Sequence, residues 1–343
     1  MRRGYLVRIL AVLILGIGAL RLAAEDQVTL VVVTGLAGAE EYQPVFAEWS
    51  KKWRDAGEQA GARVLSVGEG EHEDTDRERL QSILAEERQK SEGQLWLVFH
   101  GHGTFNGEMA KFNLRGPDLA ANDLSEWLKD CKRPLALIGG FSASAPFINT
   151  LSGPNRVILS ATKSGYEFNY SRFGGYVADA VGDLKADLDK DGQVSLLEAF
   201  LRGARDTDEF YALEGRLASE HALIDDTGDK RGTGPDWYRG VRVIKKPKEN
   251  VKPDGRRAHQ FHLIRSEFEQ HMPPALREKR DALEILVLQL RDRKESFEDL
   301  DVYYQELEEL LVKLGDVYAE VEAMIDADSV DTDVAPGDSN DTP

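Results

Sequence analysis

Short apolar runs alternate with helix-spaced stretches through the first two-thirds of the chain. Thr29–Val33 is a run rich in β-branched residues that stops at Thr34-Gly35, and it reads as a buried strand. Arg63–Val67, Leu95–His100, Pro134–Gly139 and Arg156–Ala161 repeat the pattern. Between them, Glu41–Ala56 sets Val45, Phe46, Trp49 and Trp53 at helical spacing, and Asp76–Lys90 and Asp123–Lys129 read as further helices. This alternation predicts an α/β fold, a mostly parallel sheet flanked by helices. In such sheets the working residues gather beyond the carboxyl ends of the strands. Two strand ends stand out there: Phe99-His100-Gly101-His102-Gly103 and Gly139-Gly140-Phe141-Ser142-Ala143-Ser144.

A different pattern begins at Pro273-Pro274. Leu276, Leu283, Leu286, Leu290, Phe297, Leu300, Tyr304, Leu307, Leu311, Leu314, Tyr318 and Val321 follow three–four spacing with one break at Arg293, about six heptads of a coiled-coil seam. No Gly or Pro lies between Ala275 and Leu314, so the spacing predicts one long amphipathic helix over 273–325. Its stripe needs cover from a second copy in a homo-oligomer, from a partner helix, or from folding back after a bend and packing on the protein's own body. Upstream, Arg239–Arg265 is locally basic and carries Pro247, Pro253 and Gly255. It predicts a basic linker over 239–272 that meets the protein's own acidic surface, with membrane phosphates as the weaker partner. The tail 326–343 holds six aspartates and no basic residue, a composition expected to be disordered.

The 343 residues carry 43 Lys+Arg against 61 Asp+Glu, a net charge of −18. That balance argues against nucleic acid as a partner, because phosphate neutralisation needs a basic footprint. The single cysteine, Cys131, excludes an intramolecular disulfide and any multi-cysteine metal site. Residues 1–24 have a basic start, an apolar run over Ile9–Leu20 and small residues before Glu25, which matches a secretory signal. The stretch Tyr5–Ala24, broken by Arg8 and Arg21, is alternatively an uncleaved membrane anchor. The expected location is exported, periplasmic or extracellular, or anchored at the membrane.

The most specific motif is Asp187-Leu-Asp189-Lys-Asp191-Gly192-Gln193-Val194-Ser195-Leu-Leu-Glu198, a twelve-residue EF-hand loop that fits at every diagnostic position. Ca²⁺ takes six to eight oxygens at about 2.3–2.6 Å. Asp187, Asp189 and Asp191 would supply side-chain oxygens and Gln193 its backbone carbonyl. Ser195 holds the position that often works through water, Glu198 closes the site with both oxygens, and Gly192 permits the sharp turn. The alternative is an acidic helix cap. A second acidic turn, Asp225-Asp226-Thr227-Gly228-Asp229, lacks a closing glutamate and reads as a solvated turn, with a metal contact as the alternative.

His102 between glycines, followed about 40 residues later by a strand end with small residues, resembles the caspase–legumain superfamily of cysteine peptidases. The segment Leu159–Tyr170 is similar to the strand and pocket stretch that follows the family's nucleophile, and Gly139–Glu198 resembles bacterial legumain-like proteins with an embedded EF-hand. The resemblance spans about residues 28–230, within a domain placed at 28–238. It implies that His102 is the catalytic histidine, that the Gly103 amide is an oxyanion-hole donor, and that Glu167 and Tyr170 line a substrate pocket. The nucleophile position falls on Ser142, because Ser142-Ala143-Ser144-Ala145 overlays Cys-x-Ser-Gly. Serine replaces cysteine, and Ala145 replaces glycine, a methyl that strains the turn if the backbone needs positive φ.

A thiolate is nucleophilic near neutral pH, whereas a serine hydroxyl needs a strongly oriented base. The first functional expectation is therefore an exported, calcium-binding pseudopeptidase that binds peptides or protein partners. The second is an active hydrolase with His102 as base and Ser142 as nucleophile. The third is a calcium-stabilised scaffold. At the residue level, His102 is alternatively a turn histidine, or with His100 a metal pair, and Ser142 and Ser144 alternatively cap the helix near Pro146.

Overall fold

A computed structural model describes residues 27–245 and 252–332. The signal or anchor at 1–24 and residues 333–343 of the aspartate-rich tail lie outside the described residues, as do 246–251 of the basic stretch, while 326–332, expected to be disordered, continue the last helix. Among the described residues, no helix is long and apolar enough to cross a membrane. The chain divides into two units, residues 1–264 and 265–343.

The first unit is built on a six-stranded sheet in the order β2-β1-β3-β7-β8-β9. Its strands are β1 (Thr29–Thr34), β2 (Arg63–Val67), β3 (Leu95–Gly101), β7 (Leu135–Phe141), β8 (Arg156–Ser160) and β9 (Leu223–Asp225). The first five are parallel, as the apolar runs predict, and β9 closes one edge antiparallel to β8. Strand alternation sorts side chains between two cores. Leu30, Val32, Trp96, Val98, Ala136 and Ile138 face one layer with Trp53, Phe173 and Phe200. Val31, Val33, Leu97, Phe99 and Leu137 face the other with Leu80, Leu84 and Phe147. The helices that cover the sheet include α1 (Gln43–Gln59), α2 (Asp76–Glu87), α3 (Ala121–Trp127), α4 (Ala145–Leu151), α5 (Phe173–Ala180) and α6 (Leu196–Leu213). A small antiparallel sheet of β4 (Gly103–Phe105), β5 (Ala110–Phe112) and β6 (Leu119–Ala120) grows out of the β3 tip.

The far end of the sheet is pinned by one side chain. Arg133 donates through Nε to Gly93 O (3.0 Å), through Nη1 to Thr29 Oγ1 (3.0 Å) and the Glu87 carboxylate, and through Nη2 to Gln27 O (3.0 Å) and Gln94 O (2.9 Å). All five guanidinium N–H donors are used. They tie the starts of β1, β3 and β7 to the end of α2, and both charged side chains are almost wholly buried. Cys131 sits at this same end of β7, away from Ser142, partly buried against the second core.

The basic stretch is not a simple linker. Ala258, Phe261 and Leu263 are buried in the first core, and Leu196 N–H donates to Phe261 O (2.8 Å). Residues 252–264 therefore belong to the first unit, held by three apolar side chains spaced among polar ones.

The second unit is helical: α7 (Glu267–His271), α8 (Pro274–Asp292) and α9 (Leu300–Thr332). The expected single helix is divided. The chain turns over Arg293–Asp299, the break in the seam, and α8 and α9 run back along each other. Lys294 Nζ donates to the Tyr304 hydroxyl (3.2 Å) near the turn, and the Tyr318 hydroxyl to Glu284 Oε1 (3.3 Å) far from it. Asp299 Oδ1 accepts the Asp301 amide (2.8 Å), which caps the start of α9 without glycine or proline. Of the seam, Leu283, Leu290 and Val321 are buried in this unit, together with Val287, Tyr303 and Val317 beside it, so the stripe is covered only in part. Leu286 and Leu311, also seam positions, stay exposed at 46% and 43%.

Candidate site at the strand tips

The β3–β7 register pairs His100 with Gly140 and Gly101 with Phe141, which brings His102 and Ser142 to adjoining strand tips. His102 Nε2 lies 2.9 Å from Ala37 O. A carbonyl only accepts, so Nε2 carries the proton in this contact and Nδ1 keeps the lone pair. Tyr42, Phe46 and Tyr170 surround the imidazole at centroid distances of 5.5, 5.6 and 6.2 Å. Gly38, at φ +74°, leaves room for the ring, since a Cβ there would sit 3.1 Å from it.

Ser142 is buried, 1% exposed, and is bonded away from His102. Its Oγ accepts the Gly103 amide (3.0 Å) and donates to the Gly103 carbonyl (3.2 Å). No hydrogen bond joins Ser142 to His102 among the described residues. The hydroxyl proton is therefore held by a carbonyl, and the Gly103 N–H expected in an oxyanion hole is engaged by the serine. A Cβ at Gly103 would lie 2.2 Å from Ser142 O, so the two tips touch through backbone. Removing the hydroxyl leaves a buried amide unpaired, which costs about 1–3 kcal/mol. Ser142→Ala is accordingly expected to lower the urea midpoint with an unchanged m-value, and an unchanged midpoint would contradict this pairing.

The strained residue of this loop is Ala143, at φ +57°, rather than Ala145, which opens α4 in ordinary helical conformation. The Ala143 amide donates to Glu167 O (2.9 Å), which ties the loop to the segment after β8. Ser144 stands at the N-cap position of α4 but does not cap with its side chain. Thr162 Oγ1 accepts the Ala145 amide (3.0 Å), while Ser144 Oγ meets Ser160 Oγ (2.8 Å) and accepts the Ala161 amide (3.1 Å).

The two residues expected to line a substrate pocket part company. Tyr170 stacks on Tyr42 at 4.4 Å beside His102, and burial pushes its phenol pKa far above the usual value. Glu167 is engaged by its own surroundings, accepting the Lys163 amide (2.9 Å) and meeting His221 Nδ1 at 2.6 Å. The His221 pairing is absent from the sequence reading, and 54 residues separate the partners. Tyr166 and Phe168, 66% and 52% exposed, flank Glu167 and form an apolar rim with Phe105.

His100 belongs to no cluster of three or more metal-ligating side chains among the described residues. It is fully buried, with both ring nitrogens lacking a hydrogen-bond partner, packed against Trp49 and close to Gly140 and Gly174. Burial lowers its pKa to about 3 from the ordinary 6.5. The folded state thus excludes a proton that the unfolded chain takes below pH 6.5, and stability falls as pH drops from 6.5 toward 3. At pH 5 this amounts to about 2 kcal/mol relative to pH 8, by 1.36 kcal/mol per pH unit. His100→Leu is expected to flatten the fall in melting temperature between pH 6.5 and 5. An unchanged slope would show that other groups set it.

The 187–198 loop forms the turn its sequence demands. Asp187 accepts the Lys190 amide (2.6 Å) and the Gly192 amide (3.1 Å), and Gly192 sits at φ +87°. Carboxylate oxygens of Asp187, Asp189 and Asp191 lie within 4.8 Å of one another. Glu198 closes the loop, with Oε1 accepting the Leu188 amide (2.6 Å) and Oε2 the Ser195 amide and hydroxyl (both 2.8 Å). Gln193 and Ser195 are buried within it. A three-carboxylate convergence closed by a buried glutamate fits a hard cation with oxygen ligands. Burial, with Asp189 and Glu198 nearby, raises the pKa of Asp191.

The second acidic turn is not solvated. Asp225 accepts from Ser152 Oγ (3.0 Å) and the Gly228 amide (3.1 Å). Asp226 accepts the Arg257 and Ala258 amides (2.8 and 2.9 Å), and Asp254 accepts the Asp226 amide (3.0 Å). Burial, and then the neighbouring Asp226, push Asp254 up to about 7. Asp226 and Asp254 bind the 252–264 segment to the turn after β9, and Asp225 ties that turn to Ser152.

No protein-family model and no curated protein matches the sequence. Among solved structures, the chain is similar to the Drosophila initiator caspase Dronc, at 12% identity and a TM-score of 0.41, over 62% of this chain and 84% of that one. It is also similar to caspase-1 from Spodoptera frugiperda, at 9% identity and a TM-score of 0.43, over 59% and 89%.

Proposed function

We propose that residues 28–264 form a calcium-binding, caspase-like domain that recognises peptides or protein partners without cleaving them, in an exported or membrane-anchored protein. The observation that carries the reading is the state of Ser142. Its buried hydroxyl is bonded in both directions to Gly103, and a nucleophile must instead face its base and the substrate. The parallel strand order, the His-Gly at the β3 tip and the small-residue loop at the β7 tip support kinship with the caspase–legumain superfamily. The exposed Tyr166 and Phe168 beside the tips support recognition of an apolar peptide.

One observation favours a second reading. His102 Nε2 is anchored on Ala37 O, which leaves Nδ1 able to accept a proton. An active hydrolase would need Ser142 to leave Gly103 and turn to that nitrogen. Digestion of an unfolded-protein mixture by the full chain with Ca²⁺, beside His102→Ala, separates the two. The proposal expects no cleavage above the variant, and cleavage by wild type alone would overturn it. Peptide-array binding that is lost in Tyr166→Ser/Phe168→Ser would locate the recognition surface.

A further inference from the structure

The 187–198 loop has a neighbour that its own twelve residues do not include. His259 Nε2 lies 2.9 Å from Asp189 Oδ2, 70 residues away in sequence. Ligand atoms of Asp189, Glu198 and His259 all lie within 4.8 Å of one another, and Asp189 also belongs to the group with Asp187 and Asp191. Two donors on opposite sides of one ion, each bonded at about 2.3–2.4 Å, stand no more than about 4.8 Å apart. The two groups are thus compatible with one ion that shares Asp189.

The imidazole is presented by fixed backbone. Residues Ala258–Gln260 form a single 3₁₀ turn, and Asp226 accepts the Arg257 and Ala258 amides just before it. Immediately after it, Leu196 N–H donates to Phe261 O, and Ser195 and His262 form an antiparallel bridge. The segment is therefore fastened to the loop's closing residues on one side and to the β9 turn on the other. Carboxylates alone make a hard site suited to Ca²⁺, Mg²⁺ or Mn²⁺, and an added imidazole strengthens the hold on first-row transition ions relative to Ca²⁺.

We propose that His259 is a ligand of the ion held by the 187–198 loop, so that the site has mixed oxygen and nitrogen donors and takes Mn²⁺ as well as Ca²⁺. This rests on the calcium reading of the loop. The test uses the full chain loaded with Mn²⁺ alone and electron spin-echo modulation, which reports a directly bonded nitrogen. Nitrogen-14 modulation is expected in wild type and in His262→Gln, and is expected to vanish in His259→Gln. Mn²⁺ affinity should fall about tenfold or more in His259→Gln, while Ca²⁺ affinity changes less than about threefold. Bound Mn²⁺ without nitrogen modulation in wild type, or modulation that persists in His259→Gln, would overturn the proposal. Failure of the loop reading has a different signature: Ca²⁺ affinity unchanged in Glu198→Ala.

Discussion

Replacing Arg133 with methionine is expected to destabilise the first unit by about 3–5 kcal/mol, the scale on which a broken buried ion pair is costly. The change leaves the fully buried Glu87 without its buried partner, unpairs the carbonyls of Gln27 and Gly93, and takes from Gln94 O one of its two donors, the Thr29 amide remaining. Arg63 and Lys90 still reach Glu87 from the surface, but neither reaches those carbonyls in the hydrogen bonds present. At roughly 2–4 °C per kcal/mol for a unit of this size, the melting temperature should fall by roughly 6–20 °C. Glu87→Gln should cost less, because the Arg133 contacts to backbone survive. A smaller effect for Arg133→Met than for Glu87→Gln would show that charge pairing, rather than the strand clamp, carries the energy.

Calcium is expected to raise the melting temperature of wild type and not that of Glu198→Ala. Binding to the folded state alone stabilises by about 2.7 kcal/mol at a hundredfold excess over Kd. That corresponds to roughly 5–10 °C by the same conversion. The variant carries a second penalty, visible with chelator present, because Glu198 and Ser195 form a reciprocal cap at the start of α6. Losing such a cap costs about 0.5–2 kcal/mol without any metal. Glu198→Gln keeps the donors' partner oxygen and should show a smaller chelator-state loss with the same loss of calcium response. Equal calcium shifts in wild type and Glu198→Ala, read by calorimetry, would remove the loop as the site.

The parallel core was legible because Val31, Leu97 and Leu137 belong to continuous apolar runs long enough to identify. Strand β9 was not, since Leu223–Asp225 is three residues and its pairing with β8 comes from distant chain. The 252–264 segment reads as a linker because Pro253, Gly255 and its arginines outweigh Ala258, Phe261 and Leu263 in any local window. The helical hairpin was hidden for the opposite reason. Its heptad spacing breaks once, at Arg293, and resumes beyond a turn made by capping at Asp299, with no residue that forbids helix. At the site, sequence alone placed His102 and Ser142 on neighbouring tips and the loop aspartates together. The direction of the Ser142 hydroxyl, the pairing of Glu167 with His221 and the approach of His259 depend on side chains meeting across the fold. Local pattern carries no such information.

Ser142 fastens two strand tips through Gly103, and in the proposed function it performs no chemistry. The most direct check is intact-mass analysis of the full chain after exposure to a fluorophosphonate, with Ca²⁺ present at neutral pH. No adduct on Ser142 is predicted, in wild type or in His102→Ala. A stoichiometric adduct mapped to Ser142 in wild type, and lost in His102→Ala, would contradict it.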